Sequence, residues 1–200
     1  MSQIRRICVY CGSGPGRDPA FAAAARKLGQ AMAKNGIGLV YGGGSVGLMG
    51  EVANAVLDSG GEVTGIIPEF LANREHMMLR GNIIRTRDMH ERKQLMFDHA
   101  DAFVALPGGV GTLEELVEQL TWGQLGRHRK PVLLANIKAF WEPLRALLAH
   151  MEELDFIRPG LRVEYLVAER IEDVLPMLME AAAQIVDAQK TMVPEVAGRL

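Results

Sequence analysis

Short apolar runs alternate with helix-length segments along almost the whole chain, and most runs end at a glycine, a proline or an acidic cap. Strands separated by helices cannot pair as hairpins. They pair in parallel, with the helices packed against the sheet. The first run is Ile4 to Tyr10, followed by a helix with Asp18 as N-cap and Pro19 at its first position, ending near Asn35. A strand over Ile37 to Tyr41 runs into "GGGSVGLMG" and then a helical "EVANAVLDSGG". "EVTGIIP" and Asn82 to Thr86 read as strands, and Asp88 caps a helix reaching Ala100. "DAFVAL" leads through "PGGVGT" into a helix ending at Gln124, and "PVLLAN" precedes a helix over Phe140 to Met151. Val163 to Ala168 is the last strand and Ile171 to Gln189 the last helix. The pattern predicts an α/β fold: a Rossmann-like doubly wound parallel sheet with helices on both faces. It forms a single domain over residues 1–190, with a flexible tail over 191–200.

Composition narrows the classes of function. The 200 residues carry a net charge of −2 with scattered Lys and Arg, which argues against nucleic acid and a membrane surface as partners. No apolar run approaches the roughly 20 residues that cross a bilayer. The start, "MSQIRRICVYCGS", lacks the apolar core of a secretory signal, so a cytoplasmic setting is expected. The two cysteines, Cys8 and Cys11, formally make C-x-x-C, but they lie in a β-branched run that leads into a glycine loop rather than a helix. They read as reduced, packed thiols with no redox role. The 5 histidines are dispersed and no H-E-x-x-H occurs, so no metal site is read.

Three strand-to-helix connections are glycine-rich: "CGSGPG", "GGGSVGLMG" and "PGGVGT". In a parallel sheet all three emerge on one edge, where ligands bind beyond the carboxyl ends of the strands. Backbone N–H groups and helix N-termini there suit a phosphate and the sugar it carries. Each loop taken alone is also explained by a tight turn. Gly42 to Gly47 satisfies G-x-G-x-x-G, with Glu69 downstream as a ribose contact, but this is the second βα turn rather than the first. No separate hydride-transfer domain accompanies it, and no P-loop motif is present.

The candidate chemistry lies in two segments. "MHERK" puts Arg92 and Lys93 early in a helix, where their charges oppose the dipole, so the basic pair points to a phosphate or ribose. Glu114 and Glu115 open the helix after "PGGVGT"; successive helical residues diverge by about 100°, so at most one faces the loops. Thr121, six residues beyond Glu115, falls on a nearby part of that helix.

Together, "PGGVGTLEE" and "MHERK" resemble the LONELY GUY family, the cytokinin riboside 5′-monophosphate phosphoribohydrolases. Its P-G-G-x-G-T-x-x-E signature is matched from Pro107 to Glu115, and "VYCGS", "YGGGSVGLMG", "GIIPEFL" and "LTWGQLG" follow the family's order. The resemblance implies cleavage of the N-glycosidic bond of a nucleoside 5′-monophosphate, AMP or N6-isopentenyl-AMP, releasing free base and ribose 5-phosphate without a cofactor. It implies Arg92 and Glu115 as the catalytic pair. Substrate contacts would come from Lys93, from Gly109, Val110, Gly111, Thr112, Leu113, Glu114 and Glu115, and from Glu75 and Thr121. It also implies a homodimer with the "LTWGQLG" helix in its interface. The chain departs from the family in "NREH", where "R-E-L" is commoner, and in "CGSGPG", where Gly14 replaces a serine of "CGSSPG". Lysine decarboxylase, a label given to relatives of this fold, needs a Schiff-base lysine that nothing in the sequence identifies. The alternative is a non-catalytic nucleotide or cofactor carrier; molybdenum-cofactor carriers are similar in fold but have no need of Arg92 and Glu115.

Overall fold

The sheet at the centre of the chain is all-parallel, and its spatial order is not its sequence order. A computed structural model describes residues 4–72, 76–158 and 160–192. Among them the strands are β1 (Arg6–Tyr10), β2 (Gly38–Tyr41), β3 (Val63–Pro68), β4 (Asn82–Thr86), β5 (Ala102–Ala105), β6 (Val132–Ala135) and β7 (Leu166–Ala168). Their order is β4-β3-β2-β1-β5-β6-β7, so the winding reverses between β1 and β5. The helices are α1 (Pro19–Lys34), α2 (Gly47–Asp58), α3 (Glu69–Ala72), α4 (Met89–His99), α5 (Val110–Gln124), α6 (Glu142–Glu153) and α7 (Val174–Met192).

The period-2 geometry of the central strands supplies both faces of the core. Ile7 and Val9 of β1 pack with Leu28 of α1, Val52 of α2 and Leu178 of α7. Cys8 and Tyr10 face the other way, toward Met96 of α4 and Leu116 and Leu120 of α5. Both cysteines are free and buried. Burial pushes each thiol well above its ordinary value, and Glu115 adds to the shift.

The expected helix starts at Asp18 and Asp88 are present with their caps. The Ala20 N–H donates to the Asp18 carboxylate at 2.8 Å, and the Glu91 N–H to that of Asp88 at 2.9 Å. Elsewhere the boundaries move for physical reasons. Helix α2 begins at Gly47, inside the glycine loop, because the N–H groups of Leu48 and Met49 donate to the Gly12 carbonyl. At the sheet edge, β7 keeps only Leu166–Ala168, the residues opposite Leu133–Ala135, instead of the six from Val163. Helix α7 continues through Met192, two residues into the stretch read as a tail; residues 193–200 lie outside the described residues.

Helices α1 and α2 approach closely at Gly29. A Cβ on Gly29 would lie 2.6 Å from the Val52 carbonyl oxygen and 2.8 Å from the Ala55 Cβ. Alanine ordinarily stabilises a helix by about 1 kcal/mol relative to glycine. Here Gly29→Ala is expected to do the reverse, lowering the unfolding free energy by about 1–3 kcal/mol in urea titration as the helices are forced apart.

Candidate active site

The three glycine loops meet at the carboxyl edge, but they do different things. The loops after β1 and β5 abut at the reversal point, where the Gly12 N–H donates to the Pro107 carbonyl at 3.1 Å. The loop after β2 locks onto the first one. Gly47, at φ +60°, lies so close to Ser13 that a Cβ would collide with the Ser13 carbonyl. Since Gly12 takes the first N–H groups of α2, that helix end is spent inside the protein. The N-terminus of α5 differs. Its N-cap is Gly109, with no side-chain cap, and the first intrahelical bond runs from the Leu113 N–H to the Gly109 carbonyl. The N–H groups of Val110, Gly111 and Thr112 precede that bond, the arrangement that binds an anion.

Beside this helix end lies the buried ion pair. After β4 the chain must return across the sheet to β5, and α4 makes that crossing, packing over β3, β2 and β1. The crossing carries Arg92 to the carboxyl edge. Its guanidinium Nη2 lies 3.2 Å from Glu115 Oε1, and the two side chains are 7% and 10% exposed. Arg92 Nη1 also donates toward the Met89 sulfur at 3.8 Å, while its Nε has no partner among the described residues. Both residues line a crevice of about 360 Å³ together with Gly12, Ser13, Gly42, Met49, Leu71, Met89 and the start of α5. Its size is that of small-molecule sites. A larger cavity of about 620 Å³ lies near the β6–β7 edge, between α5 and α7, and contains neither member of the pair.

The other expected site residues separate into groups. Gly109, Val110, Gly111, Thr112 and Glu114 line the crevice with Arg92 and Glu115. The expectation that at most one of the adjacent carboxylates faces the loops is corrected: both line the crevice, Glu115 buried and Glu114 half exposed at its rim, where it receives the Lys93 ammonium at 2.5 Å. Lys93 also bonds Glu118 at 3.0 Å, tying α4 to α5 rather than lining the crevice. Burial draws its ammonium down, but the two carboxylates outweigh this and hold it above its ordinary value. A Schiff-base lysine is tuned the opposite way. Leu113 faces outward, and Thr121 is exposed, its hydroxyl donating to the Val117 carbonyl. Glu75 lies outside the described residues. Gly14 has open space around it: a Cβ there meets nothing within 4 Å. Gly42 and Met89 also line the crevice. The sequence shows them only inside the segments "GGGSVGLMG" and "MHERK", with no signal that assigns either of them a contact. Among the described residues no group of three or more His, Cys, Asp or Glu is placed to hold a metal ion, and no helix is long and apolar enough to cross a membrane.

A family model described as "Possible lysine decarboxylase" matches residues 49–178. The chain is 46% identical over 182 residues to a cytokinin riboside 5′-monophosphate phosphoribohydrolase of Arabidopsis thaliana, covering 90% of this chain and 85% of that one. It is 45% identical over 172 residues to the enzyme of the same name from Rhodococcoides fascians, covering 84% and 86%. Among solved structures, the molybdenum cofactor binding protein from Rippkaea orientalis superposes with a TM-score of 0.66 over 93% of this chain and 99% of that one, at 21% identity. That likeness is one of fold.

Removing one member of a buried ion pair leaves the other charge without its counter-ion. Arg92→Ala is therefore expected to lower stability by roughly 3 kcal/mol in chemical unfolding. Adding Glu115→Leu should recover part of that loss, a non-additivity that a double-mutant cycle reads directly.

Proposed function

Because the chain belongs to the LONELY GUY family of cytokinin riboside 5′-monophosphate phosphoribohydrolases, we propose that its crevice takes a nucleoside 5′-monophosphate and that Arg92 and Glu115 cut its glycosidic bond. The observation that carries the assignment of roles is the buried Arg92–Glu115 pair set beside the open N-terminus of α5. The phosphate sits on the N–H groups of Val110, Gly111 and Thr112, where the helix dipole favours negative charge. This anchors the ribose with its anomeric carbon toward Glu115.

Scission of the C–N bond passes through an oxocarbenium-like centre, which a carboxylate stabilises. The bonding pair leaves with the base, which takes up a proton from solvent, and Glu115 returns to solvent the one it accepts. The oxygen of water joins the anomeric carbon, and Glu115 accepts the proton that the water loses. Arg92 holds the carboxylate in place and presents donors to substrate oxygens. The substrates are AMP and N6-isopentenyl-AMP, and a cytoplasmic setting is part of the reading. A carrier of the same fold would have no use for a buried ion pair of this kind.

The reading extends to a homodimer. Val110, Leu113 and Val117 are exposed at positions i, i+3 and i+7 of α5, with Thr121 continuing the same face. This apolar stripe begins at the crevice itself, since Val110 lines it. A second copy covering the stripe would place residues of the partner subunit beside the nucleotide and bury Thr121 in the interface.

Incubation with AMP and, separately, N6-isopentenyl-AMP should release free base, measured by chromatography. Glu115→Ala should reduce the rate by at least about 100-fold. Base release that survives the substitution, or nucleotide bound without release, would refute the assignment. In sedimentation the chain should run as a dimer and Val117→Glu as a monomer with reduced activity; a fully active monomer would exclude a shared site.

A further inference from the structure

The seat of the Arg92 guanidinium is a missing side chain. Gly42 directly follows β2, and two of its neighbours in the loop, Gly43 and Gly47, have positive φ of 81° and 60°; Gly42 does not. The turn therefore makes no demand for glycine at that position. The demand comes from α4. A Cβ on Gly42 would overlap Arg92 Nη2, lie 3.5 Å from its Cζ and come within 3.1 Å of the Met49 sulfur. The thioether is the end of a flexible side chain and can yield. The guanidinium is likewise the end of a flexible side chain, and a methyl group at Gly42 would push it off its seat beside the crevice. It lies against bare backbone on one side, with Glu115 at 3.2 Å and the Met89 sulfur at 3.8 Å as polar partners. Its Nε–H has no partner among the described residues.

We propose that Gly42 is a positioning residue: the absence of a side chain there sets the Arg92 guanidinium against Glu115 and toward the crevice. This gives the first glycine of "GGGSVG" a role separate from the phosphate contact that the motif suggests. The proposal rests on the assignment of Arg92 to the hydrolytic site, and its test includes a readout independent of activity.

Misplacing a catalytic group by about 1 Å can cost about 100-fold in rate. Gly42→Ala is expected to lower kcat for base release by that order, with a much smaller change in KM. In an Arg92→Lys background the thinner, shorter side chain clears the methyl group, so Gly42→Ala should cause no further loss. An unchanged kcat in Gly42→Ala, or the same fold-loss in both backgrounds, would overturn the proposal. Should Gly42→Ala fail to fold, recovery of folding in the Arg92→Lys double variant supports the clash with the guanidinium, and failure of both overturns it. If the unaltered chain releases no base, the hydrolytic reading is what fails. The positioning claim is then decided by the Arg92 Nε–H resonance in proton–nitrogen NMR. That resonance should shift in Gly42→Ala but not in Gly14→Ala, whose Cβ meets nothing; an unshifted resonance in Gly42→Ala overturns the proposal.

Discussion

The reversal of strand order between β1 and β5 is the constraint from which the site follows. The chain after β1 must leave toward one face of the sheet and the chain after β5 toward the other, so their loops part at the carboxyl edge and leave a crevice. A hydrogen bond from the Gly12 N–H to the Pro107 carbonyl holds the loops together where they part. The second glycine loop braces the first through the Gly12 carbonyl, which leaves the start of α5 as the open helix end at the crevice. Three loops of similar composition thus have unequal duties, set by which helix end each one encloses.

The same topology forces the ion pair. Four strands, β4-β3-β2-β1, wind outward in one direction, so the return from β4 to β5 must cross the sheet. Helix α4 makes that crossing, and its first turns pass over the end of β2. A charged residue on its inner face is carried into a place where water has little access. The desolvation this entails is tolerable because α5 delivers a carboxylate from the other side. In such a site a change in charge on a reacting sugar is screened weakly, which is what makes fixed charges effective there.

The neighbouring basic residue shows how local chemistry separates roles. Arg92 and Lys93 are adjacent, yet one enters the crevice and the other clamps α4 to α5 through Glu114 and Glu118. The rotation of about 100° between successive helical residues explains the split. On α5 it also separates the buried Glu115 from Glu114, which lines the crevice from its half-exposed rim. The exposed Leu113 and Val117 fall on a further face, the one available to a second copy.

By itself the sequence determined the alternation of strands and helices, the caps at Asp18 and Asp88, and the motif that nominates Arg92 and Glu115. These are local signals: periodicity, cap chemistry and a signature within a few residues. Only the tertiary structure decided which glycine loop keeps a free helix end and which of two adjacent charges faces the crevice. It also decided that Gly42 faces a guanidinium from an element far along the chain. The edge strand β7 shortened for a similar reason, since its length depends on how much of β6 is opposite it. Each of these depends on contacts between residues distant in sequence, created when α4 and α5 converge over β1 and β2. A local pattern cannot encode that convergence, because it comes from the order in which the strands pair.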